Sequence, residues 1–145
     1  MSGKRVIIAF LVFFVVFAAA LVYFQFFAFY GQTEAPEALH VDRERIPVAE
    51  WQGIDAGTSP LKLRACFETE AGALAEAEPV DDATPLTAPF WFRCFDARAL
   101  TQDLAAGRAE AFAVARDEPN GFDTMLAVYP DGQAYLWRQL NERFR

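Results

Sequence analysis

The chain has 145 residues, of which 20 are acidic and 13 are basic, and its formal net charge is −7. This length provides for one folded domain. The acidic excess disfavours nucleic acid and anionic lipid as binding partners.

The apolar segment from Val6 to Tyr30 contains no charged side chain and predicts a transmembrane helix. A helix of about 25 residues is roughly 37 Å long, which is enough to cross the hydrocarbon core of a bilayer. The alternative is a cleaved secretory signal, which the basic start MSGKR and the small residues 18–20 would fit. Signal peptides carry a shorter apolar region of roughly 7 to 15 residues. The sequence therefore predicts an uncleaved anchor.

Lys4 and Arg5 precede the predicted helix, whereas residues 31–40 contain no lysine or arginine. The positive-inside rule then keeps the N-terminus in the cytoplasm and exports the rest. In a bacterium, this places the anchor in the inner membrane and the domain in the periplasm. The predicted organisation is a cytoplasmic tail at 1–5, a transmembrane helix at 6–30, a linker at 31–38 and a periplasmic domain at 39–145.

One face of the predicted helix carries most of its bulky side chains, within roughly a third of the helical circumference. This face consists of Phe10, Phe13, Phe14, Phe17, Leu21 and Phe24, and Val12, Val15, Val16 and Ala19 lie opposite. Lipid requires only an apolar surface, so the sorting of large and small side chains indicates packing on another membrane helix. The alternative is the chance composition of a lipid-facing helix.

The first part of the predicted domain contains two segments with strand character, ALHVDRERIPV and LKLRACFE. The intervening EWQGIDAGTSP is rich in turn formers. In LKLRACFE, apolar side chains lie on one face and Lys62, Arg64, Cys66 and Glu68 on the other, which is typical of a half-buried strand.

Residues 68–82, here called the acidic lobe, contain six acids and no basic residue. A short helical turn near Leu74 followed by an irregular loop is predicted. One interpretation of the charges is a solvated surface, and the other is a docking patch. The six acids are Glu68, Glu70, Glu76, Glu78, Asp81 and Asp82.

The last part of the chain predicts a helix, a strand and a β-hairpin. In DARALTQDLAAGRA, Asp96 can cap the first turn and Gly107 lies where a C-terminal glycine is expected. AEAFAVARD predicts a strand, and two apolar segments flank Pro130-Asp131-Gly132, a typical hairpin turn. The predicted fold class is α+β, an antiparallel sheet of about five strands with one packed helix, preceded by the transmembrane helix.

Cys66 and Cys94 are the only cysteines of the chain. Outside the cytoplasm, such a pair most simply forms a disulfide. A redox dithiol usually has Cys-x-x-Cys spacing, which is absent, and a soft metal site requires additional methionine or histidine ligands. His40 is the only histidine, so the sequence favours a structural disulfide.

Catalytic and cofactor motifs are absent from the sequence, which has no P-loop, no nucleophile elbow and no zinc spacing. We therefore expect a non-enzymatic protein without a metal or cofactor.

Three segments, GIDAGTSPLKLRACF, TPLTAPFWFRCFDARAL and AVYPDGQAYLWRQLNE, resemble a small family of single-pass, periplasm-facing membrane proteins of alphaproteobacteria. Some members carry a histidine-kinase label, but this chain has neither a histidine box nor a nucleotide-binding motif. The resemblance implies the fold and the location and does not imply an activity.

The expected function is that of an accessory or assembly subunit of an inner-membrane complex, and the expected complex is a respiratory or photosynthetic electron-transfer complex. The alternative is a periplasmic ligand-binding or sensing module anchored by one helix. The acidic lobe would attract a basic soluble electron carrier such as a cytochrome c, and the remaining contacts would be with the lipid bilayer.

Large aromatic side chains dominate interface energies, so they are the candidate interface residues. These residues are Phe10, Phe13, Phe14, Phe17, Phe24, Trp91 and Trp137. In PFWF (89–92), the aromatics are either core or an exposed wedge.

Overall fold

The computed structural model describes residues 2–145. It contains helix α1, eight strands and a second helix α2, with short 3-10 turns at Pro60–Lys62 and Glu142–Phe144. The elements are α1 (Gly3–Phe26), β1 (Tyr30–Gln32), β2 (Ala38–Val41), β3 (Glu44–Pro47), β4 (Ala49–Ala56), β5 (Arg64–Glu68), α2 (Ala97–Ala105), β6 (Glu110–Ala115), β7 (Phe122–Val128) and β8 (Gln133–Leu140).

Six of the strands form one antiparallel sheet in the order β1-β4-β5-β8-β7-β6, and β2 and β3 form a separate hairpin. This arrangement confirms the predicted α+β class. The sheet has six strands where about five were predicted. It gains β1 and β4 from residues that the sequence pattern assigned to the helix end, the linker and a turn-rich segment, and it lacks the strand predicted within ALHVDRERIPV, which forms the separate hairpin β2–β3.

Both faces of the sheet are buried. On one face, hairpin β2–β3 and the acidic lobe cover a core that includes Phe67, Phe112 and Leu136. On the other face, α2 and the irregular segment 83–95 cover a core centred on Trp137. The domain therefore has three layers, with the sheet in the middle.

Helix α1 begins at Gly3 and ends at Phe26, whereas the sequence predicted residues 6–30. It is long and apolar enough to cross a membrane. The chain leaves the helix because Phe29 adopts a left-handed conformation, with φ of 69°, and Tyr30 already pairs with Ala56 of β4. Part of the predicted linker at 31–38 is therefore strand, and the stretch between β1 and β2 spans residues 33–37.

Strand β4 occupies the segment EWQGIDAGTSP that its composition assigned to turns. Gly53 is required there by a close approach, because a Cβ atom at this position would overlap Trp51 and Thr33. Glu50 has a φ of 52°, and the pairing of β4 with β5 shifts register between Ala49 and Gln52, which is a β-bulge. Gly53 is therefore present because neighbouring side chains pack closely against this strand, and it does not mark a turn.

Strand β5 is buried on both faces, although its alternating pattern predicted one exposed face. It lies between β4 and β8 in the middle of the sheet. Arg64 and Cys66, on the face predicted to be polar, are 5% and 7% exposed. The difference arises because segment 83–95 folds back over this face.

The elements at the end of the chain match their predicted chemistry. The Asp96 carboxylate accepts a hydrogen bond from the Ala99 amide at the start of α2, and Gly107 has a φ of 73° just after its end. Gly132 has a φ of 94° in the turn between β7 and β8. Leu74 is buried within a series of tight turns in the acidic lobe.

Candidate functional site at the junction of helix and domain

Five aromatic side chains connect the end of α1 to the domain, and we call them the aromatic junction: Phe26, Phe27, Tyr30, Phe90 and Trp91. The ring of Phe90 lies 5.7 Å from that of Phe26 and 5.6 Å from that of Phe27, measured between centroids. Trp91 stacks on Phe27 at 6.2 Å and meets Tyr30 edge-on at 5.6 Å. The PFWF segment therefore joins the domain to the helix.

The indole of Trp91 also caps the helix. Its Nε1–H donates a hydrogen bond of 2.6 Å to the carbonyl oxygen of Phe26, the last residue of α1. The final carbonyls of a helix have no partner within the helix, and an unsatisfied carbonyl is costly where water is scarce. The domain thus provides the hydrogen-bond donor that the Phe26 carbonyl lacks within the helix, and this donor lies 65 residues further along the chain.

The chain that follows α1 is held against the sheet. β1 pairs with β4, and the Trp51 Nε1–H donates to the Thr33 carbonyl at 3.0 Å. The Lys62 ammonium lies 5.0 Å from the centre of the Tyr30 ring. Burial raises the pKa of the Tyr30 phenol, which is therefore neutral at pH 7. These contacts, together with the Trp91 cap, fix the end of the helix to the domain.

A groove of about 520 Å³ lies beside the aromatic junction. It runs between β1, β4 and the PFWF segment and is lined by both aromatic and polar side chains. Its wall includes Tyr30, Gln32, Trp51, Gln52, Trp91 and Phe92.

Arg64 holds the irregular segment that carries Phe90 and Trp91. Its guanidinium donates to the carbonyls of Leu86 at 2.9 Å and Thr87 at 3.1 Å, and to those of Leu61 and Leu63 at 2.6 Å. Within the described part of the chain, all its hydrogen bonds go to backbone carbonyls. Burial lowers the pKa of Arg64 to about 10, so the side chain remains protonated at neutral pH.

Gln139 and the two cysteines provide further attachments for the same segment. The buried Gln139 amide accepts from the Thr84 amide at 2.7 Å and donates to the Asp82 carbonyl at 2.9 Å. The sulfur atoms of Cys66 and Cys94 are at disulfide-bonding distance, with their Cα atoms 6.2 Å apart. Segment 83–95 is therefore attached to β5 and β8 along its length, without secondary structure of its own.

Two of the predicted interface residues, Trp91 and Trp137, pack within the protein instead of being exposed to a partner. Trp137 is completely buried beneath Phe95 in the core, so it cannot anchor a partner, and this prediction was wrong. Trp91 is half-buried because it packs against the end of α1. The remaining five are between 51% and 60% exposed along α1: Phe10, Phe13, Phe14, Phe17 and Phe24.

The acidic lobe is exposed for the most part. Asp82 is the exception, because it accepts hydrogen bonds from Arg116 at 2.7 and 2.9 Å, and this guanidinium holds the pKa of its carboxyl below the usual value. The exposed members are Glu68, Glu70, Glu76, Glu78 and Asp81.

The acidic lobe starts far from the aromatic junction. Tyr30 pairs with Ala56 at one end of β4, and Glu68 pairs with Ala49 at its other end. Seven residues of extended strand separate the two positions, a distance of roughly 20 Å. The start of the acidic lobe and the aromatic junction therefore lie at opposite ends of β4, whereas the lobe ends at Asp82, whose carbonyl accepts a hydrogen bond from Gln139 near the end of β8.

Metal ligation has no candidate among residues 2–145, since no group of three or more His, Cys, Asp or Glu side chains there could hold an ion. His40 lies exposed in β2, opposite Arg45 of β3.

These features define a class of protein, an α+β domain attached through an aromatic junction to one helix that is able to cross a membrane. Residues 35–145 match the family described as "Family of unknown function (DUF6446)", and the chain belongs to this family. The matched region comprises the domain from the end of the β1–β2 connection onward and does not include α1. No curated protein and no solved structure matches the chain.

Proposed function

We propose that the protein is a non-enzymatic accessory or assembly subunit of a bacterial inner-membrane complex. The observation that carries this proposal is the phenylalanine face of α1. Phe13 stacks on Phe17 at 5.9 Å, and Phe10 stacks on Phe14 at 6.4 Å, so the rings form a continuous bulky surface. No residue of α1 is buried.

A bulky face opposite a slimmer one is suited to packing between helices. Transmembrane helices associate through close van der Waals contact, since lipid tails are as apolar as the helices themselves. The fixed junction with the domain supports the same role. A partner that binds α1 in the membrane also sets the position of the domain outside it.

The proposed orientation has the N-terminus in the cytoplasm and the domain in the periplasm. Lys4 and Arg5 lie in the first turn of α1, and the next lysine or arginine is Arg43, in the β2–β3 turn. This asymmetry supports the orientation under the positive-inside rule. The cysteine pair supports the same compartment, since disulfides persist in the oxidising periplasm.

The proposed partner is a respiratory or photosynthetic electron-transfer complex. Support for this class comes from the exposed acids of the acidic lobe, which would raise the local concentration of a basic electron carrier such as a cytochrome c. Because the lobe starts roughly 20 Å along the sheet from the aromatic junction, a carrier could approach it while the junction stays at the membrane.

The phenylalanine face is tested by comparing two variants of the full chain. We expect Phe13→Ala with Phe17→Ala to reduce the recovery of a copurifying membrane complex about tenfold, equivalent to about 1.4 kcal/mol of association free energy. The matched control, Val12→Ala with Val15→Ala, truncates the opposite face and should retain the complex. The measurement is affinity purification in mild detergent with quantitative mass spectrometry.

Equal recovery from both variants would contradict a role for the phenylalanine face. Copurification of a membrane complex without any electron-transfer component would remove the proposed partner class and keep the accessory role. Recovery of the protein alone from native membranes would remove the accessory role itself.

The acidic lobe is tested separately by charge reversal. Glu76→Lys with Glu78→Lys is expected to slow the association of a basic cytochrome c roughly tenfold at an ionic strength of about 0.01 M. The effect should shrink strongly at about 0.15 M, where the Debye length is only about 8 Å. The control, Glu34→Lys with Glu37→Lys, changes the net charge equally between β1 and β2. Stopped-flow rates that are unchanged at every salt concentration would end the steering proposal.

A periplasmic ligand-binding or sensing module is the second candidate, and the groove beside the aromatic junction favours it. The groove of about 520 Å³ is within the size range of small-molecule sites and contains the side chains of two tryptophans. A small molecule retained by the purified protein, with no copurifying complex, would be the result that selects this candidate.

A further inference from the structure

We propose that Phe90 inserts into the interface of the bilayer that α1 crosses, and that it holds the domain against the membrane surface as a second contact. The inference rests on the membrane anchoring in the proposed function and goes beyond it, because it assigns a lipid-binding role to the domain. The partner is the polar–apolar boundary of the bilayer.

Phe90 is exposed but lies at the level of the last turn of α1. It is 67% exposed, the highest value for any phenylalanine of the described chain. Its ring nevertheless lies within 5.7 Å of the rings of Phe26 and Phe27, measured between centroids. A helix that spans a membrane carries these two residues into the interface, and Phe90 is carried with them.

Three of the four exposed phenylalanines that follow α1 lie at this point, and the fourth, Phe144, lies beside Gly121 near the end of the chain. Phe27 and Phe29 are 43% and 62% exposed and immediately follow the helix. With Phe90 they form an apolar rim around the end of α1. Phenylalanine has no polar tip to keep in water, and exposed apolar side chains such as Phe, Trp and Leu bury themselves at the boundary between headgroups and acyl chains. Trp91 uses its polar N–H within the protein, on the Phe26 carbonyl.

Phe90 cannot withdraw into the domain. Pro89 and Phe92 on either side of it are buried, and the Phe92 amide donates to the Pro89 carbonyl at 2.9 Å in a tight turn. Cys94 attaches the same turn to β5. The ring is thus presented outward by a fixed backbone, and the membrane is the apolar phase that α1 brings to it.

The charges near the rim are compatible with phospholipid headgroups. Lys62 lies over the Tyr30 ring, and Arg93 is exposed and follows Trp91 by two residues. Long cationic side chains of this kind can place their charge among lipid headgroups while their stems stay on apolar surface. Asp55, the acid that faces Tyr30, forms an ion pair with Arg138 at 3.2 Å. The exposed acids of the acidic lobe begin at the opposite end of the sheet.

The test measures membrane depth with a nitroxide spin label on the full chain in phosphatidylcholine nanodiscs. Three variants each introduce one free thiol: Phe90→Cys, Val15→Cys in the middle of α1, and Asp131→Cys in the distal hairpin turn. Power saturation compares collisions with oxygen, which partitions into the bilayer, and with a nickel chelate, which stays in water. We expect the depth parameter to change sign, being positive at positions 15 and 90 and negative at position 131.

If position 15 lies in lipid but position 90 is as accessible to nickel as position 131, the second contact is overturned and the anchor remains. Nickel accessibility at position 15 would overturn the anchor, and the second contact with it. Protection of position 90 in native membranes but not in nanodiscs would identify a protein as the occupant, which also overturns the proposal. Because Phe90 is exposed, its replacement should not unfold the domain, and wild-type protein treated with the label should remain unlabelled.

Discussion

Replacing Arg64 with methionine is expected to lower the free energy of unfolding of the domain by about 3 kcal/mol. Methionine keeps much of the apolar stem but leaves the carbonyls of Leu61, Leu63, Leu86 and Thr87 without their donor. Each buried acceptor left unsatisfied costs about 1 to 3 kcal/mol. Removing a desolvated cation offsets part of this cost, and relaxation of the loop toward water offsets more.

Two further substitutions make the Arg64 prediction specific. Arg64→Lys retains the charge but has a single ammonium that cannot reach carbonyls on both sides of the planar guanidinium, so we expect about half of the loss. Arg138→Met removes an arginine of the neighbouring strand β8 whose side chain is 26% exposed and forms a partly exposed ion pair with Asp55, with an expected cost of about 1 kcal/mol. Denaturant unfolding of the full chain in mild detergent, followed by tryptophan fluorescence, measures all three variants.

The Arg64 prediction also concerns the aromatic junction. Leu86 and Thr87 lie three and two residues before Pro89, so losing their attachment should loosen the turn that presents Phe90. We expect limited proteolysis of Arg64→Met to cut between residues 83 and 93 under conditions in which the wild type and Arg138→Met resist. Wild-type stability in Arg64→Met would mean that water already satisfies these carbonyls, which would contradict the attachment role.

The elements that depend on local chemistry could be predicted from the sequence. The Asp96 cap, the left-handed Gly107 and the turn at 130–132 each require only a few neighbouring residues, and each was found as predicted. Helix α1 follows in the same way from an uninterrupted apolar run, although its end at Phe26 is set by the pairing of Tyr30 with β4.

The burial of a strand residue could not be predicted where it depends on a distant segment of the chain that packs over the strand. Arg64 and Trp137 occupy paired positions on β5 and β8, and both are buried because segment 83–95 folds across them. An arginine in an alternating strand ordinarily indicates a solvent face. Its burial here depends on carbonyls at positions 86 and 87, which no spacing in the sequence relates to Arg64. The same long-range contact makes Trp137 a core residue where an interface role was predicted.

The aromatic junction shows why the sequence left PFWF undecided. Phe92 is core, Phe90 is exposed and Trp91 is half-buried, so three neighbouring aromatics have three different environments. The division arises because the tight turn at Pro89–Phe92 directs successive side chains apart. The signal that could have identified the junction is the pairing of an aromatic helix end, residues 23–30, with a second aromatic cluster that a cysteine ties to the domain.

Removal of the cysteine pair is expected to cost about as much as the loss of Arg64, through a different mechanism. The double variant Cys66→Ala with Cys94→Ala should lose about 3.5 kcal/mol of unfolding free energy. The bond closes a loop with a sequence separation of 28 residues, and the chain-entropy relation gives this value for a loop of that length. The wild type treated with reductant should show the same shift in the unfolding midpoint, whereas the double variant should not respond to reductant.

Thiol counting distinguishes this prediction from a simple packing effect. Denatured protein purified without reductant should bind no thiol reagent, and two equivalents should react after reduction. An unfolding midpoint of the wild type that reductant does not move, with two thiols reactive throughout, would contradict the bond.

The cysteine pair also determines how firmly the turn that carries Phe90 is held. Cys94 lies four residues after Phe90, and Cys66 lies on the central strand β5, so the bond connects the turn that carries Phe90 to the middle of the sheet. The Trp91 hydrogen bond alone contributes only about 1 kcal/mol to this attachment. In the Cys66→Ala, Cys94→Ala background, a spin label at position 90 should therefore gain mobility, while one at position 131 should not, because the hairpin turn hydrogen-bonds across to β5 independently of Cys94.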